Sequence, residues 1–159
     1  MRHIVVPTDF SETARAALEF AVTLCRDLRG RLTVLHVIYT DKYRQEFAGL
    51  EALDYLSATA ETVVAEPDRD EQVEKWKTKA LEKLNAAIDP AWRKELTIEA
   101  VVAEGRPSDK IVEYARGNQG NMIVMGTHGR RPVAQFFLGS VTENVLRSAD
   151  CPVVVVRHP

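Results

Sequence analysis

Five short stretches of the chain are apolar and rich in β-branched residues: 2–6 (RHIVV), 31–38 (RLTVLHVI), 97–103 (TIEAVVA), 121–125 (NMIVM) and 152–157 (PVVVVR). Several run on without polar alternation, which predicts strands covered on both faces. Between them the apolar positions recur at helical spacing. Ala14, Ala17, Leu18, Ala21, Cys25 and Leu28 share one helix face, as do Val73, Trp76, Ala80, Leu81, Leu84 and Ile88. RPSDKIVEYAR predicts a shorter helix with Pro107 in its first turn, where a missing N–H costs nothing. A last helix opens at Ser140, with Glu143 three residues on in a capping-box pattern.

Strand and helix alternate, so the expected class is α/β with a mainly parallel sheet. Such sheets bind ligands beyond the carboxyl ends of their strands, where the strand order reverses. The crossover from Tyr39 to Leu96 is longer than the roughly 30 residues of a whole βαβ unit. Its surplus, about residues 40–69, carries a weak helical pattern (Tyr43, Phe47, Leu50, Leu53) and reads as an extra helix or mobile excursion. The whole chain, 1–159, is expected to form one domain.

Charge narrows the partners. The formal net charge is −2, from 21 basic and 23 acidic residues well mixed along the chain. That argues against a general grip on nucleic acid or an anionic membrane, so any phosphate site must be locally positive. No apolar run approaches the roughly 20 residues of a membrane span, and the first residues lack a signal-peptide pattern. Cys25 and Cys151 form no CxxC or metal-type cluster. The expectation is a cytoplasmic protein with reduced thiols, a disulfide between the two being the minor alternative.

The stretch GTHGRRPVAQFFLGS, Gly126 to Ser140, is long for a strand-to-helix connection, and loops of that length are usually functional or disordered. Gly126 and Gly129 permit positive φ and close backbone approach. Gly139 and Ser140 stand at a helix N-terminus, where unpaired N–H groups and the helix dipole favour an anion. His128, Arg130 and Arg131 add local positive charge. Two readings stay open from spacing alone: ordinary turn punctuation, or a phosphate cradle. Ser140 likewise caps the helix or turns to a phosphate oxygen. The stretch is not a GxxxxGK[ST] loop, and no GxGxxG follows the first strand. The first strand ends VVPTDFSE, where Pro7 stiffens the exit and Thr8 and Asp9 offer polar groups. Asp9 can accept from a ligand, share a metal with a phosphate, or simply form the turn before the helix. A phosphoacceptor site of the receiver type is excluded, since the third strand ends AEGRP and no lysine follows the fifth. His36, inside a strand, reads as a satisfied core residue.

These motifs, in order, resemble the universal stress protein family, in its nucleotide-binding branch. The residues that carry the likeness are Gly126-x2-Gly129-x9-Gly139-Ser140 followed by VTENVLRSADCPVVVV, with IVVPTDFSE, LHVI, GRPSDKIVEYA and MIVMGTHGR. The likeness covers the chain except 40–69. It implies a three-layer α/β/α fold whose five-stranded, mainly parallel sheet has the order 3-2-1-4-5. It implies ATP, or ADP or AMP, lying across the strand ends, with Mg²⁺ or Mn²⁺ on the phosphates and Asp9 reaching that metal indirectly. Pro7, Thr8 and Asp9 would line the adenosine side, and Val37 would meet adenine through its backbone. Met125 and Gly126 would flank the ribose and phosphates. His128, Gly129 and Arg130 would border the phosphates, which Gly139, Ser140, Val141 and Thr142 would hold from the helix start; for Thr142 a plain first-turn role is the alternative. Nothing in the residues selects adenine over another base.

No base-and-water pair is clearly placed for hydrolysis, so no catalytic residue is assigned. The expected function is a stress-linked regulatory protein with at most slow ATPase activity. An ATP-consuming hydrolase or nucleotidyl transferase, and a nucleotide-free interaction dimer, are the alternatives. The apolar last strand, 152–157, reads as an exposed sheet edge that invites a second copy of the chain, and the resemblance implies the same homodimer. Protein clients cannot be read.

Overall fold

The computed structural model describes residues 2–39, 69–127 and 138–157. The excursion expected at 40–69 therefore falls, but for Arg69, outside the described residues. So do His128, Gly129 and Arg130, with Arg131, Pro132, Phe136 and Phe137.

The described residues form β1 (His3–Pro7), α1 (Glu12–Asp27), β2 (Arg31–Ile38), α2 (Arg69–Ala87), α3 (Pro90–Glu95), β3 (Thr97–Glu104), α4 (Pro107–Gly117), β4 (Met122–Gly126), α5 (Ser140–Ser148) and β5 (Val153–Val156). The sheet is parallel throughout its recorded pairs, in the expected order β3-β2-β1-β4-β5. Every residue of the central β1 is buried, as a strand covered on both faces must be.

Each face of the sheet has its own apolar layer. On one side Ile4, Val6, Leu32, Val34 and Val124 meet Ala17, Leu18, Ala21, Val22 and Cys25 of α1, with Leu84 of α2 and the adjacent Ile88. On the other, Val5, Leu35, Val37, Ile123 and Met125 meet Ile111, Val112 and Ala115 of α4 and Val145 of α5. Cys25 and Cys151 belong to opposite layers and both are free thiols; burial pushes each thiol up from its ordinary pKa.

Three local expectations are corrected. Leu81 is 41% exposed and does not join the buried face of α2, where Leu84 and the adjacent Ile88 pack into the core layer. The short helix α3 was not expected, although Asp89 before Pro90 is a helix-start signal: its carboxylate accepts from Ala91 N at 2.8 Å. The capping box at α5 does not form. Gly139 is the N-cap, Ser140 is already helical, and no side chain among the described residues caps the helix. Glu143 instead accepts from Arg147 Nη2 at 2.6 Å, one turn along the exposed surface. Pro107 does occupy the first turn of α4.

At the amino ends of the strands, His3 is 1% exposed and joins three elements. Its backbone N–H donates to Asn121 Oδ1 at 2.9 Å. Its Nδ1 lies 2.9 Å from the Asn118 carbonyl, which can only accept, so Nδ1 carries the proton and Nε2 accepts from Thr33 Oγ1 at 2.8 Å. Burial is the main reason its pKa falls below the ordinary imidazole value; the Asn118 hydrogen bond partly opposes this, and the charge of Arg31 adds to it.

Because the folded value is depressed, the unfolded chain takes up the proton first as the pH drops below about 6.5. Native stability from this neutral His3 is therefore complete above that pH and is lost progressively as pH falls toward the folded value. The melting temperature of the wild-type protein should decline with acid over that window, and a His3→Gln variant should decline less. Parallel melting curves of the two proteins from pH 7.5 to 4.5 check this, and superimposable slopes would refute it.

Candidate functional site

The carboxyl ends of the strands are not level. Pro7, the last residue of β1, stands opposite Leu35, whereas β2 continues to Ile38 alongside β3 as far as Glu104. On the other flank β4 pairs Val5 with Ile123, so Gly126 reaches one residue past the level of Pro7. A notch thus lies above β1 between β2 and β4, two inter-strand spacings or about 10 Å wide. The chain leaves β1 for α1 on one face and leaves β4 for α5 on the other. This is the reversal point at which doubly wound sheets take ligands.

Successive strand residues turn their backbone groups to alternate neighbours. The carbonyl of Leu35 accepts from Thr8 N at 2.9 Å on the β1 side, and that of Ile38 accepts from Gly105 N at 2.9 Å on the β3 side. The N–H and C=O of Val37 therefore turn to the β1 side, above the level of Pro7, while its side chain is buried among α4 contacts.

The floor of the notch is a tight turn built from side-chain caps. Thr8 Oγ1 accepts from Phe10 N at 3.0 Å, and Asp9 Oδ1 accepts from Ser11 N at 3.0 Å. Ser11 caps α1 by accepting from Ala14 N at 3.2 Å. Asp9 therefore fulfils the turn role left open for it, whatever else it contacts. Phe10 has φ 65, in the left-handed region. Such a conformation costs about 1–2 kcal/mol for a residue with a Cβ. It brings the Phe10 ring to 4.6 Å from the His36 ring, and His36 Nδ1 donates to the Thr8 carbonyl at 2.8 Å. His36 is buried and satisfied, as expected.

The far wall is β4 and α5. Gly126 does not need positive φ; it is an ordinary strand residue, and its reason is close approach. A Cβ there would meet the carbonyl carbon, oxygen and Cβ of Thr13 at 3.0 Å each. The Gly126 carbonyl accepts from Thr142 Oγ1 at 3.0 Å, so the Thr142 hydroxyl ties α5 to the strand, in keeping with its first-turn alternative. Gly139 N donates to the Thr127 carbonyl at 2.7 Å, and Thr127 N donates to the Val156 carbonyl at 3.1 Å. Together these bonds hold the start of α5, with Ser140 and Val141 in its first turn, against the end of β4 beside buried Met125. Among the described residues no side chain caps α5, and its first-turn N–H groups and dipole suit an anion.

Pro7, Thr8, Asp9, Val37, Met125, Gly126, Gly139, Ser140, Val141 and Thr142 are thus brought to one end of the sheet, around β1 and β4. Two residues there went unremarked in the sequence. Phe10 carries no local signal for a left-handed conformation. Thr127 lies between the two glycines; it is 4% exposed, and among the described residues its Oγ1 has no hydrogen-bond partner. No group of three His, Cys, Asp or Glu side chains among the described residues could hold a metal ion directly. No described helix is long and apolar enough to cross a membrane.

A sequence model described as the Universal stress protein family matches residues 1–157. Among curated relatives, universal stress protein MJ0531 of Methanocaldococcus jannaschii is 30% identical over 158 residues, covering 99% of this chain and 83% of that one. MJ0577 of the same organism is 31% identical over 159 residues, covering 99% and 95%. The solved structure of MJ0577 superposes with a TM-score of 0.70 at 26% identity, over 99% of this chain and 96% of that one. A universal stress protein of Archaeoglobus fulgidus, solved in complex with dAMP, superposes with a TM-score of 0.60 at 22% identity, over 98% of each chain.

The contact at Gly126 generates a direct expectation. Gly126→Ala should destabilise the protein by about 1–3 kcal/mol, since the new methyl group meets backbone atoms that cannot rotate away. Urea unfolding checks this, and an unchanged midpoint would show that α1 yields freely at Thr13.

Proposed function

The chain belongs to the universal stress protein family, and from that premise we propose that it binds an adenine nucleotide, ATP in the first instance, across the carboxyl ends of β1, β2 and β4. The observation that carries this reading is the side-chain-free N-terminus of α5, held against β4 at the point where the sheet reverses. The first-turn amides of Ser140, Val141 and Thr142 and the helix dipole suit the phosphates. Gly139, the N-cap, brings no side chain to the start of that helix. On the opposite wall Val37 would meet the planar adenine ring through its backbone. Pro7, Thr8 and Asp9 line the side between them. The complex of the Archaeoglobus fulgidus relative with dAMP supports the choice of an adenine nucleotide.

His128, Gly129 and Arg130 complete the phosphate side in this reading, with Mg²⁺ or Mn²⁺ accompanying the phosphates and Asp9 in reach of that ion through them. The protein acts in the cytoplasm as a nucleotide-dependent regulator in the stress response, and any ATP hydrolysis is slow. Its working form is a homodimer paired through β5. That strand ends the sheet, and all four of its residues are half-buried. Pro152 and Val156 turn their carbonyls to β4, so by alternation Val153 and Val155 turn their backbone groups outward, as an edge awaiting a partner does.

Calorimetric titration of nucleotide-free protein with ATP and Mg²⁺ tests the site. Saturable binding is expected, weakened at least about tenfold by Gly139→Val, whose branched side chain stands in front of the α5 amides; circular dichroism establishes that the variant is folded. Failure of ATP, ADP and AMP alike to bind the wild-type protein would overturn the reading. The dimer is tested separately with Val155→Pro, which deletes an outward N–H and leaves the bonds to β4 in place. Sedimentation should then find a folded monomer where the wild-type protein is a dimer.

A further inference from the structure

Among the described residues three that lack glycine's freedom have positive φ: Phe10, Arg29 and Gln119. Arg29 and Gln119 each follow the C-cap of a helix, α1 and α4, where left-handed backbone is an ordinary way to end one. Phe10 has no such reason. It stands two residues before α1, between Asp9 and the N-cap Ser11, and a glycine there would carry none of the steric cost. A strained residue persists only where its surroundings hold it, and such residues gather at functional sites.

What holds Phe10 is its ring. The ring lies 4.6 Å from that of His36 on β2 and packs against the apolar layer beneath α1 and α2. Lys83 Nζ of α2 stands over it, 5.8 Å from its centroid. His36 grips the same turn a second time, since its Nδ1 donates to the Thr8 carbonyl at 2.8 Å. One side chain of β2 thus fixes the turn on both sides of Asp9. Between those two points Phe10 N donates to Thr8 Oγ1 and Ser11 N donates to Asp9 Oδ1, each at 3.0 Å. The directions of the Thr8 and Asp9 side chains therefore follow from the backbone conformation of Phe10.

We propose that Phe10, through its ring contact with His36, is a positioning residue that presets Thr8 and Asp9 for the nucleoside part of the nucleotide. The inference rests on the nucleotide reading above and adds to it a residue that acts through others. Without the ring, the turn loses the contact that offsets its left-handed residue and samples other conformations in the free protein. The ligand must then bear the ordering of Thr8 and Asp9, which lowers affinity.

Phe10→Gly keeps the left-handed backbone accessible and removes the ring. Calorimetry on this variant should find ATP and ADP both weakened about tenfold. Phe10→Tyr, which keeps the ring, should bind both within about threefold of wild type. Circular dichroism establishes folding; if Phe10→Gly does not fold, Phe10→Leu carries the same expectation, because it fills space without a ring to lie against His36. A residue serving stability alone would lower the melting temperature and leave the affinity of the folded protein unchanged. Wild-type affinity in Phe10→Gly therefore overturns the proposal at any melting temperature. So does a loss in Phe10→Tyr equal to that in Phe10→Gly, and so does a loss for ATP without one for ADP, which places the effect at the last phosphate and not at the nucleoside. A wild-type protein that binds no ATP, ADP or AMP sinks the nucleotide reading itself; unaltered binding by Phe10→Gly sinks this inference alone.

Discussion

The missing side chain at Gly126 is the constraint on which the carboxyl end of the sheet depends. Its Cα side lies against the backbone of Thr13, which lets the first turn of α1 close over the end of β4 on one face of the sheet. Its carbonyl takes the hydroxyl of Thr142, which fastens the first turn of α5 on the other face. Two helix N-termini therefore converge on one strand end, each with its dipole positive there. They differ in how that end is used. Ser11 closes the start of α1 with its own side chain, whereas α5 begins at a glycine and no side chain among the described residues caps it. The asymmetry separates a structural helix start from one suited to an anion.

The sheet beneath supplies rigidity without polar cost. Its central strand is buried along its whole length, and the layers on its two faces are almost wholly apolar. Buried polar residues are few among the described residues, lying in or just after strands or near helix starts, and they are mostly paired. His3 does this at the amino ends, where one ring and one N–H join Asn118, Asn121 and Thr33. His36 does so at the carboxyl ends, under Phe10. Among the described residues the Thr127 hydroxyl and the Trp76 indole N–H depart from that pattern, each buried without a hydrogen-bond partner.

Several features could be read from the sequence because they depend on short-range pattern. Continuous apolar runs announced strands buried on both faces, and Ala14, Ala17, Leu18, Ala21 and Cys25 announced the inner face of α1. Pro107 marked a helix start because proline lacks an N–H wherever it stands. Other features were misread where two local signals competed. Ser140 and Glu143 have capping-box spacing, but Gly139 N is already given to Thr127 and the helix begins one residue earlier than that motif needs. Leu81 fits the helical repeat, but the width of the α2 contact leaves it exposed. Gly126 was legible as special but for a different reason, since close approach is a property of two segments and not of one.

By itself, then, the sequence determined the class of fold and, through its family likeness, the strand order. These follow from periodicity and from motifs whose physical requirements are local. Only the tertiary structure decided that β1 stops short of its neighbours, that Thr142 gives its hydroxyl to Gly126, that Phe10 adopts a left-handed conformation beside His36, and that the buried Thr127 hydroxyl has no partner among the described residues. Each of these depends on groups distant in sequence meeting at a few ångströms, and hydrogen-bond satisfaction and steric contact are set by that meeting rather than by any residue alone.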